Sequence, residues 1–255
     1  MQRRILILGG TAEARLLATR LAPRADLAVT LSLAGRTASP APQPVPVRTG
    51  GFGGASGLAD QLSAVRIDAL IDATHPYAAR ISANAVHAAA RARVAFLALR
   101  RPPWPRLADD RWIEVNDVAG AVTALGDNPR RVFVTLGRNE LVPFERAPQH
   151  HYVIRSVDPV TPPLALPDAD YIIARGPFDA AAEHALMERQ RIALVVSKNS
   201  GGPASYGKIA AARALGLPVI MLQRPALPDA PSVESIDEVL AWLDHAVTSV
   251  APRGV

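Results

Sequence analysis

The stretch Gly9-Gly10-Thr11-Ala12-Glu13-Ala14 sets two glycines, a hydroxyl and a carboxylate at the end of the apolar run Ile5 to Leu8. Glycine lets the backbone turn tightly and lets a ligand come close, and the unpaired amides of a helix starting at Ala12 favour an anion such as a pyrophosphate. A nucleotide fits such a turn. The dinucleotide pattern G-x-G-x-x-G asks for glycine where this chain has Gly9, Thr11 and Ala14, and only the first complies. The plainer alternative is a strand-to-helix turn capped by Thr11, with Glu13 placed favourably against the helix dipole.

Four more turns carry charged or reactive side chains. Arg36-Thr37 follows the run Leu27 to Leu33, where a nucleotide-binding unit meets the adenosine ribose; an acid there selects NAD, whereas an arginine accommodates the 2'-phosphate of NADP. Gly50-Gly51-Phe52-Gly53-Gly54 is either a loop that folds over a flat ligand or wraps phosphates, or a plain flexible connection. Thr74-His75-Pro76-Tyr77 follows the run Ala69 to Ala73. His75 and Tyr77 lie there beside a cofactor, or serve as helix cap and packing residue. Ser197-Lys198-Asn199-Ser200-Gly201-Gly202 holds one of the chain's two lysines. Lys198, with Asn199 and Ser200, grips carboxylates or a cofactor, or is an exposed charge on a turn shaped by Asn199.

Other chemistries find little support. The six histidines show no metal-ligand spacing, so no metal site is expected. Without cysteine there are no disulfides, thiolate reactions or cysteine-held clusters, and the cytoplasm is the natural compartment. The nucleophile elbow G-x-S-x-G and the phosphate loop G-x-x-x-x-G-K-[ST] are missing. The net charge of +5 comes almost wholly from arginine, which suits a bidentate grip on carboxylates and phosphates. Basic residues are dispersed and aromatics amount to 5%, so nucleic acid is not an expected partner. No run approaches the ~20 apolar residues of a membrane span.

The turns need strands to hold them. Apolar runs without polar alternation, as in Ile5 to Leu8, suit strands covered on both faces. Strands are expected at Leu27 to Leu33, Val45 to Arg48, Ala69 to Ala73 and Val94 to Leu99, with helices over Ala12 to Leu21, Ser56 to Ala64 and Pro76 to Arg91. Arg100-Arg101-Pro102-Pro103-Trp104-Pro105 breaks this rhythm and reads as a crossing between domains. Beyond it come strands at Trp112 to Val115, Val132 to Leu136 (ending in Gly137-Arg138-Asn139), His151 to Val157, Tyr171 to Ala174 (ending in Arg175-Gly176-Pro177), Ile192 to Val196 and Pro218 to Leu222. A last helix is expected over Ser235 to Ala246. The pattern predicts two consecutive Rossmann-like, mainly parallel α/β domains, 1–103 and 104–255, of about five strands each, with a cleft between them.

Several blocks together resemble the precorrin-6A reductase family of cobalamin biosynthesis. They are Ile7-Leu8-Gly9-Gly10-Thr11-Ala12-Glu13-Ala14, Gly51-Phe52-Gly53-Gly54, Asp72-Ala73-Thr74-His75-Pro76-Tyr77-Ala78, Ser197 to Gly202, and Ala212-Arg213-Ala214-Leu215-Gly216-Leu217-Pro218. They span nearly the whole chain in order. The resemblance implies NADPH-dependent reduction of a macrocycle double bond, with hydride going to ring carbon 19 and a proton to carbon 18, giving precorrin-6B. It implies a polycarboxylate tetrapyrrole substrate, with Arg138, Arg175, Ser197, Asn199 and Ser200 binding it. Gly9, Gly10, Thr11, Glu13, Arg36, Thr37, Gly51, Phe52, Gly53 and Thr74 would then bind the cofactor. His75, Tyr77 and Lys198 are the candidate catalytic groups, with solvent as an alternative proton source.

Two rival readings remain at this point. One is another NADP-dependent reductase acting on a small carbonyl, though no Tyr-x-x-x-Lys pair supports it. The other is a non-catalytic nucleotide-sensing protein, in which the Ser197 to Gly202 block is a contact loop.

Overall fold

The computed structural model describes residues 2–35 and 41–246, so Arg36 and Thr37 lie outside the described residues. The chain forms two compact units, Met1–Pro102 with Ala226–Val255, and Pro103–Pro225. The first unit runs β1 (Arg3–Leu8), α1 (Ala12–Leu21), β2 (Leu27–Leu33), β3 (Val47–Thr49), α2 (Gly54–Val65), β4 (Ala69–Asp72), α3 (Ala79–Ala92) and β5 (Ala95–Leu99). The second runs β6 (Arg111–Val115), α4 (Val118–Ala124), β7 (Arg131–Val134), β8 (His151–Ser156), β9 (Ala169–Ile173), α5 (Ala180–Arg189), β10 (Leu194–Lys198), α6 (Gly207–Ala214) and β11 (Pro218–Leu222). Two 3-10 turns, Arg138–Glu140 and Val142–Arg146, lie between β7 and β8. The chain then returns to the first unit with β12 (Ser232–Val233) and α7 (Ile236–Ala246).

Among the described residues the strand pairs are all parallel. The sheets run β12-β5-β4-β1-β2-β3 and β6-β11-β10-β7-β8-β9. These are one topology used twice. From β1 the chain steps through β2 and β3 on one side and β4 and β5 on the other, as it does from β7 through β8 and β9, then β10 and β11. A strand from elsewhere in the chain closes the far edge of each sheet, β12 in one and β6 in the other. The order therefore reverses between β1 and β4 and between β7 and β10, and open α/β sheets bind ligands beyond the strand carboxyl ends at such a reversal.

Alternation along β1 explains why its sequence is apolar without a break. Ile5 and Ile7 pack with Leu17 and Leu21 of α1 and with Val239 and Leu243 of α7. Leu6 and Leu8 pack on the opposite face with Leu58 and Leu62 of α2 and with Ala85, Ala88 and Ala89 of α3. Successive side chains of a strand point to opposite faces, so a strand covered twice must be apolar at every position. In the second unit Phe133, Val153, Val195 and Val219 form one face, covered by Met187 of α5 and by Ile209, Ala211 and Ala212 of α6.

Four departures from the expected elements bear on the site or the core, each with a physical reason. First, α7 buries Val239 and Leu243 in the first unit's core, and β12 pairs with β5 through Ser232↔Ala98 and Val233↔Leu99. A split into 1–103 and 104–255 assigns this segment to the second unit; it packs with the first, whose Ile5 face α1 alone would leave half covered. Second, each sheet has six strands rather than about five; the second sheet's six are the six apolar runs expected there, and the first gains β12, whose two residues are too few to leave a periodic signal. Third, α3 begins at Ala79, not Pro76. The Ala78 amide donates to the His75 carbonyl at 2.7 Å, closing a separate turn through Pro76 and Tyr77. Fourth, β10 covers Leu194–Lys198 rather than Ile192 to Val196. Arg191 is left-handed (φ 48°) and the Ile192 amide still caps α5 on the Met187 carbonyl at 2.9 Å, so the strand starts later. Ser197 and Lys198 are thus its last two residues and not part of the following turn.

Candidate active site

The turns after β1 and β4 are tied together across the first sheet's reversal. Thr11 caps α1, its hydroxyl accepting from the Ala14 amide at 3.1 Å and donating to the Ala73 carbonyl at 2.8 Å. The Gly9 amide donates to Ser32 and the Ala73 amide to Leu8, both at 2.9 Å, extending the ladder into both turns. The two glycines serve different needs. A Cβ on Gly9 would stand 2.6 Å from Leu31 Cδ1, so Gly9 keeps the turn close to β2, whereas Gly10 (φ +109°) meets nothing within 4 Å and faces open space.

Asp72 organises the block behind it. The residue is 4% exposed, and its carboxylate accepts from the Thr74 amide at 3.1 Å and the Thr74 hydroxyl at 2.7 Å. A buried carboxylate needs such donors, and here they fix Thr74 beside the reversal. The His75 Nδ1 accepts from the Tyr77 amide at 3.3 Å, which places the proton of the neutral ring on Nε2. The two rings lie 5.6 Å apart, tilted by 41°.

Glu13 projects from the first turn of α1 and is ion-paired with Arg101, beyond the end of β5; both side chains are largely buried. The glycine loop after β3 is likewise held by an arginine. Arg48 donates to the carbonyls of Gly50 at 2.6 Å and Gly51 at 2.8 Å and lies 3.8 Å from the centre of the Phe52 ring. With its carbonyls turned to Arg48, the loop enters α2 through Gly53 and Gly54, both at positive φ (80° and 86°). Neither of these, nor Gly51, has an atom within 4 Å of where a Cβ would stand. A pyrophosphate-bearing ligand needs open backbone and no net negative charge nearby. Gly10 and the glycine loop supply the first, and Arg101 neutralises the one carboxylate of the α1 turn. The residues of this edge fit a nicotinamide dinucleotide.

In the second sheet the reversal is bridged by an ion pair. Lys198, at the end of β10, meets Glu140, in the 3-10 turn after β7, and the same carboxylate accepts from the Gly137 amide at 3.2 Å. Ser197 is fully buried, its hydroxyl donating to the Lys198 carbonyl at 3.1 Å. Asn199 uses its amide on a backbone: its Oδ1 accepts from the Trp104 amide at 2.8 Å and its Nδ2 donates to the Trp104 carbonyl at 3.1 Å. Arg224, two residues past β11, donates to the carbonyls of Asn199 at 2.9 Å and Ser200 at 3.1 Å. Arg138 and Arg175 are exposed, just past β7 and β9. Because the strands are parallel, Arg138, Arg175, Lys198 and Arg224 all stand at the carboxyl edge. Such an edge can take a ligand bearing several carboxylates.

The structure thus gathers Gly9, Gly10, Thr11, Glu13, Thr74, His75, Tyr77 and the Gly51-Phe52-Gly53 loop at one carboxyl edge, and Arg138, Arg175, Ser197, Lys198, Asn199 and Ser200 at the other. It buries Ser197 and engages Asn199 with Trp104, so both shape the turn. Sequence reasoning missed Arg48, Arg101, Glu140 and Arg224. Arg48 stands two residues before the glycine loop and Arg101 in the doublet after β5, but only the fold brings Glu140 and Arg224 to the Lys198 turn. Among the described residues no cluster of three or more His, Cys, Asp or Glu could hold a metal ion, and no helix is long and apolar enough to cross a membrane.

Known proteins are similar to this chain along nearly its whole length. A Sinorhizobium sp protein named precorrin-6A reductase is 59% identical over 242 residues, spanning 95% of this chain and 93% of its own length. One of the same name from Rhodobacter capsulatus is 50% identical over 253 residues and 99% of each chain. A solved structure named CobK precorrin-6A reductase superposes with a TM-score of 0.92 at 48% identity, covering 100% of both chains. The family model described as Precorrin-6x reductase CbiJ/CobK matches residues 4–244, taking in both sheets and both reversal points. The chain belongs to the precorrin-6x reductase CbiJ/CobK family.

Proposed function

We propose that this chain reduces one double bond of precorrin-6A with NADPH. What carries the reading is the full-length relation to proteins of that name, together with a dinucleotide-compatible edge on the first sheet and a cationic edge on the second. NADPH, when bound, supplies the hydride. The chain's own residues bind and orient. The glycine turn with Thr11 and the Arg48-held loop would carry the cofactor, and Arg36 its 2'-phosphate. Arg138, Arg175 and Lys198 would hold the acetate and propionate groups of the macrocycle. The metal-free macrocycle is the substrate of choice, because the relatives at 59% and 50% identity carry its name.

Little of the catalysis needs a reactive side chain, since holding two flat rings in contact accounts for most of the barrier lowering. His75, Tyr77 and Lys198 are the candidates to deliver the second hydrogen as a proton, with solvent as the alternative source. The test is oxidation of NADPH in the presence of precorrin-6A, with the product's mass followed. Gain of two hydrogens, faster with NADPH than with NADH and faster on the metal-free than on the cobalt form, is expected. A purified, folded protein that leaves precorrin-6A unreduced with either cofactor would refute the proposal.

A further inference from the structure

Lys208, the chain's other lysine, has no part in the reading above. It sits in the first turn of α6, 4% exposed, and its Nζ donates to the Ser205 carbonyl at 2.8 Å and lies 5.1 Å from the centre of the Trp104 ring. Trp104 is joined in turn to the segment that follows Lys198. Besides its two backbone bonds to the Asn199 side chain, its indole Nε1 donates to the Gly202 carbonyl at 2.7 Å. Its ring also lies 5.6 Å from that of Tyr206. The backbone of Trp104, its indole and one buried amine therefore hold the chain at Asn199, Gly202 and Ser205 in turn. Gly201 and Gly202 are both at φ +69°, so this is backbone that needs holding.

We propose that Trp104 and Lys208 are positioning residues for the Lys198 turn, and that the charge on Lys208 sets how firmly the turn presents Lys198 and Ser200 to the macrocycle. The kinetic part rests on the substrate reading of that turn; the structural part does not.

Charge matters here because Lys208 titrates near neutrality. Burial brings its pKa down from the ordinary lysine range to about 7, the Arg155 guanidinium adds to this, and the Glu183 carboxylate opposes it. Those are the charged groups facing it, Arg155 from β8 and Glu183 from α5. They form a bidentate pair with each other, and Arg155 is stacked 3.7 Å from the centre of the Phe178 ring, so they stay fixed while the amine titrates. As ammonium, Lys208 makes a charge-assisted bond to Ser205 and attracts the Trp104 ring; as amine it keeps only a neutral bond.

The test is hydrogen exchange of the amides from Asn199 to Tyr206 in the free protein, between roughly pH 6 and roughly pH 8.5, corrected for the intrinsic rate. In the wild type, protection should fall roughly five- to tenfold across this range, the difference between a charged and a neutral hydrogen bond. Lys208→Met should give a flat profile. Trp104→Phe keeps a ring but loses the indole donor, and should lower protection at every pH while keeping the pH dependence. The Michaelis constant for precorrin-6A should rise over the same range with turnover little changed. A Lys208→Met protein that keeps the wild-type pH dependence, or a folded Trp104→Phe protein with unchanged protection, overturns the proposal. If Lys208→Met fails to fold, Trp104→Phe decides. Exchange is read without substrate, so an inactive preparation tells against the substrate reading and leaves the clamp to be judged by exchange alone.

Discussion

The Lys198 ammonium and the Glu140 carboxylate are paired across the point where the second sheet reverses its strand order. The first sheet has its own tie at the equivalent point, the hydrogen bond from the Thr11 hydroxyl to the Ala73 carbonyl. Two sheets of one topology thus close their reversal points by different means. The first uses a neutral bond and leaves glycine backbone open. The second uses an ion pair, with Arg138, Arg175 and Arg224 at the same edge.

That difference predicts how Lys198 acts. Lys198 is largely buried but Glu140 keeps 32% of its side-chain surface exposed, so water can reach the carboxylate when the ammonium is removed and the cost to stability is on the order of 1 kcal/mol. Lys198→Ala should fold normally and raise the Michaelis constant for precorrin-6A or NADPH more than it lowers turnover, because an ammonium near fixed carboxylates orients rather than reacts. Steady-state kinetics on both substrates check this. A steep loss of turnover with a new pH dependence would make Lys198 the proton donor instead.

Thr11 should matter to both fold and ligand. Thr11→Val removes the cap on Ala14 and the bond to Ala73 together, for a cost of roughly 1–3 kcal/mol, whereas Thr11→Ser keeps both bonds. Urea unfolding gives the stability and a fluorescence titration the NADPH affinity. If Thr11→Val binds NADPH as tightly as Thr11→Ser, the tie between the turns has no part in binding.

Much of the first sheet could be read from sequence because its signals are local. Ile5 to Leu8 must be apolar throughout to be covered twice, and helical spacing from Ala12 to Leu21 needs no distant partner. The slip at β10 shows where local signals end: Ile192 is apolar in either role, and only the α5 cap on Met187 shows that it precedes the strand. The return of α7 depends on an uncovered face more than 200 residues earlier in the chain, which no window of sequence contains. In the candidate site the glycine turns and the Asp72 to Tyr77 block could be read as motifs, but the residues holding them could not. Asn199 and Trp104 are 95 positions apart, and their pairing is a property of the folded unit.

Gly57 tests whether the glycine loop depends on its helix. A Cβ there would stand 1.8 Å from the Phe52 carbonyl oxygen, far inside contact distance. Alanine ordinarily favours a helix over glycine by up to about 1 kcal/mol, but overlap with fixed backbone costs roughly 1–3 kcal/mol or more and must move the loop. Gly57→Ala should therefore lower stability and weaken NADPH binding together, seen in thermal unfolding and in the same titration. A more stable variant with unchanged affinity would mean that the loop is free to shift and does not shape the site.

Lys208 gives a pH dependence whose sign can be worked out. Its pKa is about 7 in the folded chain and 10.5 for an ordinary lysine. Between those values the folded state has released the proton that the unfolded state still binds, so stability rises with pH by up to about 1.4 kcal/mol per unit. Below about pH 7 both states are protonated and the full cost of burying the ammonium is present. The charge that tightens the Lys198 turn locally therefore lowers the stability of the fold as a whole. Lys208→Met removes that cost, so it should stabilise the protein most below pH 7 and lose its advantage progressively toward pH 10.5. Urea unfolding of wild type and variant at several pH values measures the difference directly. A difference constant across the window would mean that Lys208 keeps an ordinary lysine pKa in the folded chain, and its Nζ would then have to reach water.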